Sequence, residues 1–140
     1  MIIFIMYQYT YTKDLINLHV FKFKENIPKD EFEKFKIDFK NLLDKKETFY
    51  VVFDLLNINN FDIKFFYKKM DYIYSNKEIV KKYLKASSIV IKKFYGDLIK
   101  VGLKIKKPLS LNTVVQDMNS GVQFLIDSFQ KIEDNNLKAN

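Results

Sequence analysis

Two short runs, Phe49-Tyr50-Val51-Val52-Phe53 and Ser87-Ser88-Ile89-Val90-Ile91, constrain the fold of this chain more than any other feature. Neither alternates apolar with polar residues, and each is too short for a helix, so each reads as a strand covered on both faces. Such strands need helices on either side of their sheet, and amphipathic stretches surround them. After Asn26-Ile27-Pro28, which suits a helix start, Asp30, Glu31 and Glu33 put negative charge in the first turn, and Phe32, Phe35, Phe39, Leu42 and Leu43 recur at helical spacing. Ile63, Phe66, Met70 and Ile73 form a second stripe, with Lys64, Lys68 and Asp71 off it. This helix is expected to break near Ser75-Asn76 before Ile79, Val80, Tyr83 and Leu84. A further helix is expected over 95–105, carrying Leu98 and Val101 and stopped by Pro108. Residues 109–115, with Thr113, Val114 and Val115, read as a strand, and Val122, Leu125, Ile126, Phe129 and Ile132 mark a closing helix with Gly121 in its first turn.

At the other end, 7–12 is rich in Tyr and Thr, and in 16–23 Ile16, Leu18 and Val20 alternate with Asn17, His19 and Lys22. With Lys13-Asp14 between them, the two segments predict a hairpin. The predicted order is β-β-α-β-α-β-α-β-α: an α/β fold with a mixed sheet of about five strands, an N-terminal hairpin and four to five helices joined by right-handed crossovers. A chain of 140 residues is one domain's worth. The expected domain is 1–134, with 135–140 a frayed tail.

Composition narrows the chemistry. With no Cys there is no disulfide scaffold, zinc ribbon or thiol nucleophile, and a single His cannot build a His-based metal cage. The net charge is +7, and all 24 basic residues are Lys. Arg supplies the planar fork that reads phosphates and guanines, so nucleic-acid binding is expected to be at most weak and non-specific. An excess of Lys, Asn, Ile, Phe and Tyr is also what AT-rich coding produces. The apolar opening, 1–6, is too short for a secretory or membrane-spanning segment, Met6 is a second candidate start, and a cytoplasmic protein is expected.

The element order and the junction Val52-Phe53-Asp54-Leu55-Leu56-Asn57-Ile58-Asn59-Asn60-Phe61-Asp62 resemble the STAS family of sulfate transporters and anti-sigma factor antagonists, over about 7–130. In that family an apolar strand ends in Asp-Leu, and a small loop leads to Asp-Ser-Ser-Gly at a helix start. Asp54-Leu55 and Phe61-Asp62 sit where the pattern places them, but Ile63-Lys64-Phe65 replaces both serines and the glycine. The family's switch depends on a phosphoserine at a helix N-terminus, so it is not carried over. The resemblance implies a single STAS-like domain, a non-enzymatic regulatory or scaffolding module that binds another protein. The expected contact residues are Leu56, Asn57, Asn59, Asn60, Phe61, Asp62, Lys64 and Phe65. Tyr83-Leu84 through 105–109 is similar to CRAL-TRIO lipid-transfer domains, so a small lipid or membrane-surface binding protein is the alternative.

Other constellations favour structural roles. Asp54 and Asp62 flank a strand end, where two carboxylates suit Mg²⁺ and Asp54 with Lys107 invites comparison with phospho-receivers. No acid follows Val20-Phe21 before Glu25, however, and capping of the loop and helix accounts for both. His19 has no nucleophile or acid at a telling spacing and reads as a partly exposed sheet residue. Ser87-Ser88, read as opening its strand, lacks the Gly-x-Ser-x-Gly elbow of an acyl-transfer nucleophile. Gly96 and Gly102 are too isolated to cradle a phosphate. Tyr7, Tyr9 and Tyr11 share one strand face, where packing is commoner than base stacking. No catalytic residue, metal or cofactor is expected.

Overall fold

The apolar runs become inner strands and the amphipathic stretches become their crossovers. The structure is a computed structural model describing residues 7–12, 15–24, 29–58 and 62–139. The expected turn at Lys13-Asp14 and helix start at Asn26-Ile27-Pro28 lie outside the described residues. In chain order the elements are β1 (Tyr7–Thr12), β2 (Leu18–Lys24), α1 (Lys29–Asp44), β3 (Phe49–Asn57), α2 (Ile63–Ser75), α3 (Lys77–Tyr83), β4 (Leu84–Val90), α4 (Lys93–Ile105), β5 (Leu111–Val115) and α5 (Met118–Ala139).

The sheet order is β1-β2-β3-β4-β5, antiparallel at the first pair and parallel thereafter. Each parallel step moves the same way across the sheet, so right-handed crossovers put α1, α2, α3 and α4 on one face. α5 follows the last strand and returns on the other. The cores follow this division. Phe21, Phe23, Val51, Leu55 and Ile89 meet Phe35, Phe39, Phe66, Val80 and Ile99 on the four-helix face. Leu18, Tyr50, Val52, Ala86 and Val90 meet Leu125 of α5 on the other. The four-helix face is built from rings: Phe35 lies 5.2 Å from Phe21 and 5.5 Å from Phe39, and Tyr72 meets both Phe35 and Phe39.

Several expectations are corrected. β4 begins at Leu84, so Leu84 belongs to the strand rather than to the helical stripe, and Ser87-Ser88 lies mid-strand. Its register shifts between Phe49↔Leu84 and Tyr50↔Ala86, which sends Leu84 and Ala86 to opposite faces. Ser88 is fully buried because its Oγ donates to the Gly121 carbonyl at 2.7 Å. That approach needs glycine: a Cβ on Gly121 would lie 2.9 Å from Val90 Cγ2. The expected break between the second and third helices falls at Asn76, whose backbone N–H closes α2 on Ile73 and Tyr74 and whose side chain donates to Tyr72 O at 3.0 Å. α5 runs to Ala139, and residues 133–139 are all exposed.

His19 is 1% exposed, not partly exposed, because β1 carries aromatic side chains over it. Tyr11 stacks on its ring at 4.5 Å, and Phe49 meets it edge-on at 5.9 Å. Tyr9 Oη donates to Nδ1 at 2.5 Å, Nε2–H donates to Asn17 Oδ1 at 3.1 Å, and Asn17 Nδ2 donates to Thr48 O at 2.8 Å. The Asn17 carbonyl oxygen places a proton on Nε2, and in the neutral ring Nδ1 is the acceptor for the Tyr9 hydroxyl. Burial, with the Lys45 charge adding to it, lowers the His19 pKa from 6.5 to about 4.

Candidate functional site

The carboxyl edge of the sheet, where open α/β proteins place their sites, is built here from the ends of β3 and β4 and the starts of α2 and α4. β3 is longer than its apolar run because its ladder with β2 continues to Lys24↔Asn57. Leu56 and Asn57 are therefore strand residues rather than loop residues: Leu56 is half-buried against the α5-side core and Asn57 is exposed. Asp54 is buried, and its Oδ1 accepts from the Leu56 N–H at 3.2 Å. Asp62 is exposed and caps α2, its Oδ1 accepting from the Lys64 N–H at 2.9 Å. Asp62 thus caps the helix start as expected, whereas Asp54 lies within β3 and accepts from a strand N–H instead of capping a loop. No ion pair joins Asp54 to Lys107, and no cluster of three metal-ligating side chains occurs among the described residues. Lys64 is exposed in the first turn of α2. Asn59, Asn60 and Phe61 lie outside the described residues, as does the side chain of Phe65.

Beside this junction, α2 and α4 are close neighbours. A Cβ on Gly102 would fall 2.3 Å from the Tyr67 hydroxyl, so the glycine lets the two helices touch. At the far end Lys106, the C-cap of α4, pairs with Asp71 of α2 and lies 4.6 Å from the centre of the Tyr74 ring. Between these helices and the sheet is a cavity of about 60 Å³, walled by Phe53, Leu55, Phe66, Ile73, Leu103 and Leu109. Small-molecule sites run to roughly 300–1,000 Å³, so this volume holds a few heavy atoms rather than a lipid tail. Lys69 also lines it; the side chain is buried, with Nζ 3.6 Å from the centre of the Phe23 ring. Desolvation pushes the Lys69 pKa well below the usual lysine range. Tyr74 lines the same cavity, and its Oη is buried without a hydrogen-bond partner among the described residues.

The largest unexpected feature is the outer side of α4. Its buried side consists of Gly96, Ile99 and Gly102, which press against the sheet and α2. Phe94, Leu98, Val101 and Ile105 are 72%, 41%, 60% and 86% exposed and fall at i, i+4, i+7 and i+11, one continuous stripe. Lys93, Asp97, Lys100 and Lys104 occupy a third side, and of these Lys93, Asp97 and Lys100 lie beside Val114 and Val115 of the edge strand β5. The sequence carried a signal for this: α4 has two apolar sides, and only one can face the sheet. The expectation around Leu98 and Val101 missed it because glycines mark the packed side.

No protein-family model matches the chain, and no curated protein matches it by sequence. Among solved structures, an uncharacterised protein from Shewanella loihica, of a family of unknown function with a SpoIIAA-like fold, superposes with a TM-score of 0.63. The two are 11% identical, and the match covers 85% of this chain and 91% of that one. The fold is therefore SpoIIAA-like, the STAS-like architecture that the junction around Asp54 resembles. No helix among the described residues is long and apolar enough to cross a membrane.

Proposed function

We propose that this SpoIIAA-like chain is a non-enzymatic regulatory or scaffolding module that docks on a protein partner through the start of α2 and the outer side of α4. The observation that carries the reading is the exposed stripe Phe94, Leu98, Val101 and Ile105. Four large apolar side chains in line on one exposed helix face are unusual unless something covers them, and the fit is to an apolar groove or helix on the partner. Asn57, Asp62 and Lys64 stand exposed at the same edge and supply the polar margin of the contact. Asn59, Asn60, Phe61 and Phe65 are proposed to complete it.

A second reading, docking on an anionic lipid surface, is supported by Lys93, Lys100 and Lys104 beside the stripe and by the net charge of +7. One experiment addresses both. A photo-crosslinking residue is placed at Val101, at Lys64 and, as a control, at Lys131 of α5, in cells of the native source. In parallel, flotation uses vesicles of phosphatidylcholine with and without phosphatidylglycerol. A discrete protein adduct from Val101 and Lys64 but not Lys131 supports the protein reading. Flotation that needs phosphatidylglycerol and is lost in Val101→Asp supports the lipid reading. Equal crosslinking from all three positions with no flotation refutes docking at this surface.

A further inference from the structure

We propose that the outer side of α4 packs against the same helix of a second copy of this chain, antiparallel and about a two-fold axis. The inference rests on the docking reading of the stripe and names its occupant. Phe94, Leu98, Val101 and Ile105 follow one another by four, three and four residues, the two-in-seven spacing of a seam between helices packed along their length. Such a seam is narrower than the apolar side a helix lays into a lipid surface. The spacing also reads the same in both directions. Turned end for end, the helix meets itself in register, with Phe94 opposite Ile105 of the second copy and Leu98 opposite Val101 of the second copy, each twice by symmetry. All four exposed side chains of each copy are covered at once.

Charge follows the same symmetry. Asp97 and Lys104 flank the seam on one side, and Tyr95 and Gly102, on the other, carry no charge. In the antiparallel pair Asp97 of each copy comes opposite Lys104 of the other, giving two equivalent ion pairs. Both side chains are exposed, and neither makes an ion pair within the chain among the described residues. Asp97 is the only acid in 92–107, against six lysines, and it stands where it faces the second helix. A parallel pair would set Asp97 against Gly102 and leave it unmatched. Lys93 and Lys100 lie further round the helix from the seam, where salt screens their repulsion.

The test uses the full chain in sedimentation equilibrium at physiological salt up to about 0.5 mM, because a contact of one helix pair is small and its dimer correspondingly weak. A reversible monomer–dimer equilibrium is expected, and Val101→Asp should abolish it. Asp97→Lys and Lys104→Asp should each weaken it roughly tenfold, since symmetry turns two attractive pairs into two repulsive ones, and the double variant should regain the parent affinity. Lys104→Asp lowers the net charge, so its loss of affinity cannot come from overall repulsion. The chain has no Cys, so oxidising a mixture of Leu98→Cys and Val101→Cys chains reads the orientation. Antiparallel packing should give the mixed disulfide in excess of random pairing. A monomeric parent over the whole range, a double variant no tighter than the single ones, or self-linked disulfides in excess overturns the proposal. A monomer leaves the docking reading standing, since the Val101 crosslink to another protein tests that separately.

Discussion

Acid should loosen this fold well before its carboxylates are consumed, and the cause would be one side chain. His19 is the chain's single histidine, 1% exposed, and neutral in the folded state because burial strips water from the ring and the Lys45 charge opposes a second proton. Its folded pKa is lowered from 6.5 to about 4, whereas the unfolded chain takes up the proton near 6.5. Between those values the unfolded state binds more protons, so stability is full above about pH 6.5 and is lost as pH falls toward 4. At about 1.4 kcal/mol per pH unit, the whole interval is worth about 3 kcal/mol, of which about 2 kcal/mol is gone by pH 5. Urea unfolding at pH 7.0, 6.0 and 5.0 reads this directly. His19→Gln, which keeps a polar side chain but cannot titrate, should flatten the dependence over the same range, whatever it costs at pH 7. As the only imidazole, His19 also gives an unambiguous proton NMR signal, with an expected midpoint near 4. A midpoint at or above 6, or the same acid loss in His19→Gln, would refute the reasoning.

The remaining expectations concern packing and the docking surface. Gly121→Ala places a Cβ 2.9 Å from Val90 Cγ2 and should cost roughly 1–3 kcal/mol through displacement of α5, measured by denaturant unfolding. On α4, Val101→Ser should change stability by less than about 0.5 kcal/mol, whereas Ile99→Ala, on the fully buried side, should cost roughly 2–5 kcal/mol. Equal costs for the two would mean that the outer stripe is not exposed. Lys64→Glu should leave the thermal midpoint within a few degrees of the parent, since the site is exposed and an acid suits a helix start. If the junction docks, the same variant should weaken the Val101 crosslink more than Lys131→Glu does.

Much of the architecture can be read from local pattern. The run 49–53 implied a strand covered on both faces because it has no polar alternation, and β3 is the middle strand of five. The stripes in α1 and α2 implied which residues enter the core, and Phe35, Phe39, Phe66 and Ile73 are there. Asp62 could be read as a cap because an acid before an apolar helical stripe satisfies free N–H groups locally. Each of these signals depends on contacts within a few residues.

The features that bear on function do not. His19 was misread because its alternation with Leu18 describes one strand, while its burial depends on the rings of Tyr9 and Tyr11 from the paired strand β1 and on Phe49 from β3. Leu56 and Asn57 passed from loop to strand because the β2 ladder runs on beside them, a pairing between residues more than 30 apart. The outer stripe of α4 is written in the spacing of Phe94, Leu98, Val101 and Ile105, but which apolar side meets the sheet was decided by how closely Gly96 and Gly102 let the helix approach its neighbours. Nothing local distinguishes Lys69 from the 23 other lysines either. Sequence by itself determined the elements, their order and the core faces of α1 and α2, since hydrogen bonding and apolar periodicity are local. Tertiary packing alone decided which groups lost water, because desolvation depends on what the rest of the chain brings alongside.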